Sequence, residues 1–393
     1  MHRTEKQSTT LQVPAMNVTP QGYLKFYEDQ NQDPPLLIVE AKGLLNEEQY
    51  KIIFLFLLCV LHVTNITAII GNSLNIAVFV KLGFSEPSNI SLTALAVSDL
   101  TCVLLSFSAD VIFMLDYEGS RLPFNPINVA FLTSSGLWSF VNRTVAWITA
   151  FISFERCLCI LLPLKVKRLV TRKTTLLAML IIGVLTICPY FFIFLRHKFV
   201  WIFYPDLNAT ILDVARIDKT HVVLIQKIIF VICGVLQPLL AFLGVIVCTI
   251  FLVIHLRKVS IWRKSVTSAK AQCGDNFGEN DETSKSDTQR RPSPKEDRLV
   301  RMVVVIAVIF VVSFTPTCVM LLFAVLVDEF SLFGVYKRMY MACGLSTFLT
   351  QSLSSSVNIV IYYNMASKFR SALRCILRLD CEDQKTFRNF QIS

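Results

Sequence analysis

The chain has 393 residues, of which 54% are hydrophobic and only 17% are charged, and its formal net charge is +10. Soluble proteins contain about 45–50% apolar and about 25% charged residues, so this balance points to a lipid environment and argues against a set of soluble domains. We expect the positive charge to face anionic lipid at the inner membrane surface, and we exclude a nucleic-acid partner.

Seven apolar segments follow one another between residues 52 and 363. They comprise residues 52–80, 89–115, 127–162, 174–195, 222–254, 300–327 and 336–363. A transmembrane helix needs about 20 predominantly apolar residues, and each segment reaches that length. The sequence therefore predicts an all-α integral membrane protein, with a seven-helix transmembrane bundle over residues 51–363 that follows a polar tail over residues 1–50.

Basic residues concentrate between spans three and four, between spans five and six, and in the C-terminal tail. Because cytoplasmic loops carry an excess of Lys and Arg, this distribution predicts an extracellular N-terminus and a cytoplasmic C-terminus in a multi-pass plasma-membrane protein. The first 50 residues lack the short apolar core of a signal peptide, so the first span is expected to act as the insertion signal.

The segments outside the spans carry candidate modification sites. Asn17 in the outer tail and Asn208 between spans four and five match the N-glycosylation pattern. Residues 256–299 form a long inner loop that we expect to be largely disordered, although its first part, "HLRKVSIWRKSVTSAK", favours a helical extension of span five. Residues 364–393 are predicted to begin as an amphipathic helix on the inner leaflet, where Cys375 and Cys381 are placed for palmitoylation or remain unmodified thiols.

Three polar side chains fall at matching depths within the apolar spans. Asp99 lies about ten residues, or roughly 15 Å, from the inner end of span two, and Asn72 and Asn358 lie at a similar depth in spans one and seven. A charge at the bilayer centre costs about 2.5–3.5 kcal/mol, so such a residue indicates a function or a polar partner. We expect either a structural hydrogen-bond network or a site for a small cation, and no other cofactor.

Glu155 and Arg156 end the third span, just before a lysine-rich loop. At 1.5 Å per residue, Arg156 lies some 43 Å along its helix, beyond the roughly 30 Å of hydrocarbon, and therefore at the cytoplasmic mouth. Glu296, at the inner start of span six, is an acceptor in addition to Glu155. A breakable ion pair between two helix ends, worth about 1 kcal/mol when partly exposed, is interpreted as a switch.

In their order along the chain, these segments resemble the rhodopsin-like (class A) G-protein-coupled receptors over about residues 52–380. The motifs that carry the resemblance are "GNSLN", "LTALAVSDL", "FERC", Pro238, "FVVSFTP", "NIVIY" and "FR". The resemblance implies a receptor that binds an extracellular ligand and activates heterotrimeric G proteins. Phe314 replaces the usual Trp and Phe131 the cysteine that clamps the outer loop, departures similar to those of divergent invertebrate peptide or chemosensory receptors.

The resemblance also implies roles for individual residues. Arg156 would contact the G protein, and Glu296 would be its resting-state partner. A sodium ion would be linked to the polar core, which consists of Asp99, Asn72 and Asn358.

The resemblance further implies parts that move on activation. Tyr362 would swing inward, and a pivot beneath the ligand would be formed by Phe310 and Phe314. Spans five and six would be kinked by Pro238 and Pro316.

The outer halves of the spans supply a candidate ligand pocket. Its residues are Asp110, Trp138, Asn142, Arg143, Phe230, Phe348 and Gln351. Arg143 is deep enough to need a partner, which we expect to be either Asp110 or an anionic group of the ligand. Trp138 stands where amine receptors carry an aspartate, which argues against a monoamine. The polar tail and the long outer loop favour a peptide, and a small chemosensory molecule is the alternative.

Three classes of function were compared. A ligand-activated receptor fits the motifs, while the departures from them favour a seven-span protein that binds a ligand or partner without efficient G-protein activation. A transporter or channel would show internal repeats or charged pore-lining helices, and the sequence has neither. An enzyme is not indicated, because no nucleophile, acid–base pair or metal spacing is recognisable.

Overall fold

The computed structural model describes residues 46–117, 121–162, 165–195, 197–205, 208–216, 219–272, 294–327, 329–331 and 334–377. The outer tail before residue 46, with Asn17, lies outside the described residues. The end of the chain after residue 377, with Cys381, also lies outside them.

Seven long helices form the predicted bundle. Spans one to seven comprise Glu47–Leu82, Pro87–Tyr117, Pro126–Leu161, Arg172–Leu195, 220–272, Pro294–Leu326 and Lys337–Met365. By length and composition, six of the described helices are apolar enough to cross a membrane. Span seven is more polar because it directs side chains such as Gln351, Ser355 and Asn358 into the bundle, where they are buried. The prediction of an all-α, seven-helix membrane bundle is confirmed.

Local signals set the ends of span one. Asn46 and Gln49 form a capping box, in which each side chain accepts a hydrogen bond from the other residue's backbone N–H. The helix therefore begins at Glu47, five residues before the predicted apolar segment. It ends at Gly83, which adopts a φ of 78°. This left-handed conformation is readily available only to glycine.

Spans three and five each contain a π-helical turn. In span three the turn comprises Phe131–Ser135, and a Cβ added to the next residue, Gly136, would lie 2.8 Å from the Phe131 carbonyl oxygen. In span five the turn comprises Phe230–Leu236 and directly precedes Pro238. Proline has no N–H and crowds the preceding turn, so a widened turn is an expected accommodation. Pro316 lies inside the helix of span six.

The first part of the inner loop is helical, as its alternating basic and apolar residues predict. The last α-helix of span five, Gln237–Gln272, continues 18 residues past the predicted end at residue 254, and span six begins at Pro294. Only residues 273–293 of the predicted loop over 256–299 lack a described structure. The extension follows from the basic and apolar residues that alternate at helical spacing after residue 254.

A β-hairpin lies between spans four and five, where the sequence predicts an irregular loop. Strand β1, His197–Tyr204, pairs antiparallel with strand β2, Ala209–Arg216. Strand β1 is rich in β-branched and aromatic residues, and its exposure alternates from Phe199 to Tyr204, which favours a half-buried strand. Asn208, in the turn, is exposed and has a φ of 45°.

The hairpin is fastened to the start of span three by hydrogen bonds. The backbone N–H of Asn125 donates to the Leu212 carbonyl over 2.8 Å, and the N–H of Leu212 donates to the Pro123 carbonyl over 2.9 Å. The buried Asp213 carboxylate accepts from Asn125 Nδ2 at 3.2 Å and from Asn128 Nδ2 at 2.7 Å. No disulfide forms among the cysteines of the described ranges, and these contacts hold the outer loop instead.

A short amphipathic helix, Ser367–Ile376, follows span seven as predicted. It packs on the inner end of span one through Phe369, Ala372 and Leu373, which are buried. The ring of Phe369 lies 5.4 Å from that of Phe79 in span one. The helix therefore lies at the end of the bundle where span one ends and span two begins.

Candidate functional site

A cavity of about 280 Å³ opens in the outer half of the bundle, between spans three, five, six and seven. It has the position and the mainly apolar lining of a small-molecule pocket. Five of the seven predicted pocket residues line it: Trp138, Asn142, Arg143, Phe230 and Phe348. The rings of Trp138 and Phe348 meet edge to face with centroids 4.3 Å apart, which joins span three to span seven at the cavity wall.

Asp110 is not part of this cavity. Its carboxylate is fully buried between spans one and two, where Oδ2 accepts a hydrogen bond from His62 Nδ1 over 2.8 Å. Of the two partners expected for Arg143, Asp110 is therefore engaged elsewhere. His62 is missing from the predicted site, although a histidine inside an apolar span is itself a signal of a polar partner.

Arg143 lies in the cavity wall with only 6% of its surface exposed. Its guanidinium carbon lies 4.2 Å from the centre of the Phe140 ring, so one face of the group is covered by an aromatic ring. Nη1 is buried and has no hydrogen-bond partner among the described residues. The guanidinium thus keeps one donor that no described residue uses.

The floor of the cavity is aromatic. Phe314 of span six lines it and stacks on Phe310 one turn below, with centroids 4.9 Å apart and rings inclined by 22°. Phe242 of span five lies 6.0 Å from Phe314. An occupant of the cavity would therefore contact a ring stack that continues toward the inner half of spans five and six.

The polar core lies below this level and includes a residue that was predicted for the pocket. Asp99 accepts hydrogen bonds from Asn358 Nδ2 at 2.9 Å and from Gln351 Nε2 at 3.3 Å. Gln351 therefore belongs to the polar core and not to the cavity. Asn72 donates to Ser355 Oγ at 2.6 Å, so it reaches span seven without bonding to Asp99.

The described partners of Asp99 fit a cation incompletely. The two carboxylate oxygens both face amide N–H donors, whereas sodium needs oxygen ligands, and the described residues contain no group of three or more His, Cys, Asp or Glu placed for a metal. The amide groups would have to turn for their oxygens to bind an ion. A sodium ion at Asp99 remains a proposal.

Arg156 is buried near the C-terminal end of span three. Its Nη2 donates to Ser88 Oγ of span two over 2.7 Å and lies 4.0 Å from Glu155 Oε2. Glu155 is also buried and accepts a hydrogen bond from Ser91 Oγ at 3.0 Å. The two serines are absent from the predicted site, because the facing of span two cannot be read from the third span's motif. The side chain of Glu296 lies outside the described residues.

Tyr362 occupies the space between the polar core and the amphipathic helix. It is almost fully buried, and its ring lies 5.2 Å from Phe79 and 5.4 Å from Phe369. Its hydroxyl has no hydrogen-bond partner within the described ranges. Burying a hydroxyl without a hydrogen-bond partner is unfavourable, so a movement of Tyr362 that gives its hydroxyl a partner would be favoured.

The predicted modification sites remain predictions. Asn208 is exposed at the hairpin turn, as a glycosylation site requires. Cys375 is partly buried, and its sulfur accepts a hydrogen bond from Lys81 Nζ at 2.8 Å. A lipid chain on Cys375 would have to displace that contact.

Comparison with known proteins adds one finding. Residues 71–362 match the family model described as 7 transmembrane receptor (rhodopsin family). The match covers well over half of the chain and runs from "GNSLN" in span one to Tyr362 in span seven. No curated protein matches the chain.

Proposed function

Since the chain belongs to the rhodopsin family of seven-transmembrane receptors, we propose that it binds an extracellular ligand and activates heterotrimeric G proteins. The observation that carries the proposal is the pair of sites on span three. Arg143 lines the outer cavity, and Arg156 lies 13 residues further along the same helix, about 20 Å away, at the opposite end of the bundle.

The contacts of Arg156 support a switch. Its partners in this structure are the neutral Ser88 at 2.7 Å and Glu155 at 4.0 Å, which is long for a strong ion pair. Because Arg156 and Glu155 are both buried, releasing the guanidinium from these contacts requires new acceptors, which the G protein would supply. We expect Glu296 to be an additional partner in the resting state and the G protein to replace these contacts in the active state.

The cavity and its floor support ligand control of that switch. Phe314 contacts both the cavity and the ring of Phe310, so an occupant can change the packing of span six directly. Span six carries Pro316 two residues further along, and a helix that lacks a hydrogen bond at proline bends more readily there. Outward movement of the inner half of span six would open the region around Arg156.

We propose a peptide as the ligand. The outer tail is polar, and β1 exposes Phe199, Trp201 and Phe203 at alternate positions on one face of the hairpin. Exposed aromatic side chains of this kind contribute strongly to peptide contacts. A small chemosensory molecule confined to the cavity is the alternative, and it would not need this aromatic face.

The experiment is a response assay in cells that co-express the receptor and a promiscuous Gα subunit, challenged with a library of synthetic peptides and a library of small acids, amines and alcohols. The Arg156→Ala variant is expected to reach the surface, shown by an N-terminal tag on unpermeabilised cells, and to lose the response. Arg172→Ala, which removes an exposed arginine at the start of span four, is the matched control and should respond normally. An unchanged response in Arg156→Ala would contradict the proposed switch at Arg156. A wild type that reaches the surface but responds to neither library would instead support a binding protein that does not activate G proteins.

A further inference from the structure

Arg143 carries a buried charge that the described residues do not neutralise. No acidic side chain among the described residues pairs with its guanidinium, and its Nη1 has no hydrogen-bond partner among them. The nearest predicted acid, Asp110, is engaged by His62. Burying an unpaired charge is strongly unfavourable, so a charged residue at this depth that lacks a described partner is a candidate binding site.

The surroundings of Arg143 select the chemistry of that partner. Among the described residues that line the cavity, none is Asp, Glu, Lys or His, so Arg143 is their sole charged side chain. A cationic ligand would meet an uncompensated positive charge, and a neutral ligand would leave it uncompensated. An anion removes the penalty, and it would do so in a mainly apolar cavity where charge-assisted hydrogen bonds are strong.

The geometry of the guanidinium favours a carboxylate as the anionic group of the ligand. Phe140 covers one face of the guanidinium at 4.2 Å, whereas the N–H bonds of the unpartnered Nη1 lie in the plane of the group. A planar carboxylate matches the edge of a guanidinium with two parallel N–H···O bonds. Asn142, the preceding residue, also lines the cavity, and its buried Oδ1 has no partner among the described residues.

We infer that this cavity binds a carboxylate attached to an apolar body, with the carboxylate on Arg143 and the apolar body against Trp138, Phe348 and Phe314. The inference rests on the proposed ligand-activated function and names the chemistry of its ligand. The volume of about 280 Å³ admits a single small acid or the last residues of a peptide with a free C-terminus. Both sources offer the same group to the arginine.

The test uses the full-length receptor, purified in lipid nanodiscs, and measures the shift of its Tm on adding matched probes. The acids are octanoate, dodecanoate, hexadecanoate and N-acetyl-Phe-Leu with a free C-terminus, and each is paired with its primary amide. We expect at least one acid to raise the Tm more than its amide, because binding to the folded state stabilises it. A preference confined to the fatty acids or to the dipeptide identifies the source.

Three variants assign the preference to Arg143. Arg143→Met should bind the preferred acid about 10- to 100-fold more weakly, the loss expected for one charge-assisted hydrogen bond, while its binding of the amide changes little. Arg143→Lys keeps the charge without the planar guanidinium, and its affinity for the acid should lie between those of the wild type and Arg143→Met. Arg338→Gln removes a half-exposed arginine at the start of span seven that does not line the cavity, and it should behave as the wild type.

Equal shifts for every acid and its amide in the wild type would overturn the inference even if Arg143→Met failed to fold. A preference for the acid that survives in Arg143→Met would also overturn it. Because the readout needs no G protein, such a result would leave the proposed G-protein activation standing. Conversely, a receptor that fails to activate G proteins can still show the preference for the acid.

Discussion

Asn128 Nδ2 donates a 2.7 Å hydrogen bond to Asp213 Oδ1, and this contact joins the first turn of span three to the second strand of the outer hairpin. Asp213 also accepts from Asn125 and from the Tyr204 hydroxyl. Phe131 stands where related receptors carry the cysteine that clamps this loop. The buried Asp213 carboxylate, which has several hydrogen-bond donors, therefore holds the hairpin at this position.

Asp213→Ala should loosen the hairpin. The substitution leaves the side-chain donors of Asn125, Asn128 and Tyr204 without their acceptor, and losing a hydrogen bond to a charged group costs about 1.5–3 kcal/mol. Hydrogen–deuterium exchange should rise in both strands. Lys198→Ala, an exposed change on β1, should leave exchange as in the wild type. Unchanged protection in Asp213→Ala would show that the backbone bonds suffice.

Gly136→Ala should destabilise span three. The added Cβ would lie 2.8 Å from the Phe131 carbonyl oxygen, so the π-helical turn would have to shift. A forced backbone shift in a packed region costs about 1–3 kcal/mol, which should lower the Tm of the purified receptor. Gly183→Ala in span four is the control, since a Cβ there meets no atom within 4 Å, and it should keep or raise the Tm. Equal Tm values for the two variants would contradict the described π-helical turn.

His62→Ala should destabilise the contact between spans one and two. It removes the only described donor to the buried Asp110 carboxylate, at 2.8 Å. We expect a loss of about 1–3 kcal/mol, because a buried polar group is left without its partner. His62→Gln, which can still donate, should recover part of the Tm. The same loss in His62→Ala and His62→Gln would argue against the hydrogen bond as the cause.

The contacts of Asp99 predict that the Gln351 amide and a sodium ion compete for the Asp99 carboxylate. Because Gln351 Nε2 donates to Asp99 at 3.3 Å, its removal should free one oxygen for sodium. Gln351→Ala should therefore show a larger rise in Tm when choline chloride is replaced by sodium chloride than the wild type does. Asp99→Asn should show no such rise. A sodium effect that persists in Asp99→Asn would place the ion elsewhere.

The spans could be predicted because lipid imposes a length of about 20 apolar residues on every crossing helix. The direction in which each side chain points around its helix could not be predicted. Asp110 and Gln351 were predicted for the pocket from their depth, yet the structure turns Asp110 toward His62 and Gln351 toward Asp99. Rise along a helix follows from residue count, whereas rotation against a neighbour depends on packing between spans that a single sequence does not reveal.

The hairpin was missed for a different reason. Strands β1 and β2 together cover 16 residues in a segment interpreted as a loop, and exposed aromatic residues such as Trp201 obscure the alternation between a polar and an apolar face. The pairing of two short strands depends on their register, which tertiary contacts such as that of Asp213 help to fix. The two serines that contact Glu155 and Arg156 could not be predicted, because the third span's motif does not reveal which side chains of span two face it.

The most direct test of receptor function is nucleotide exchange on a purified heterotrimeric G protein by the receptor reconstituted in lipid nanodiscs, with and without the agonist found in the cell-based screen. The wild type should accelerate exchange in the presence of agonist. Arg156→Ala should still bind agonist but fail to accelerate exchange, and Arg172→Ala should match the wild type. Acceleration that is equal in Arg156→Ala and the wild type would contradict the central claim.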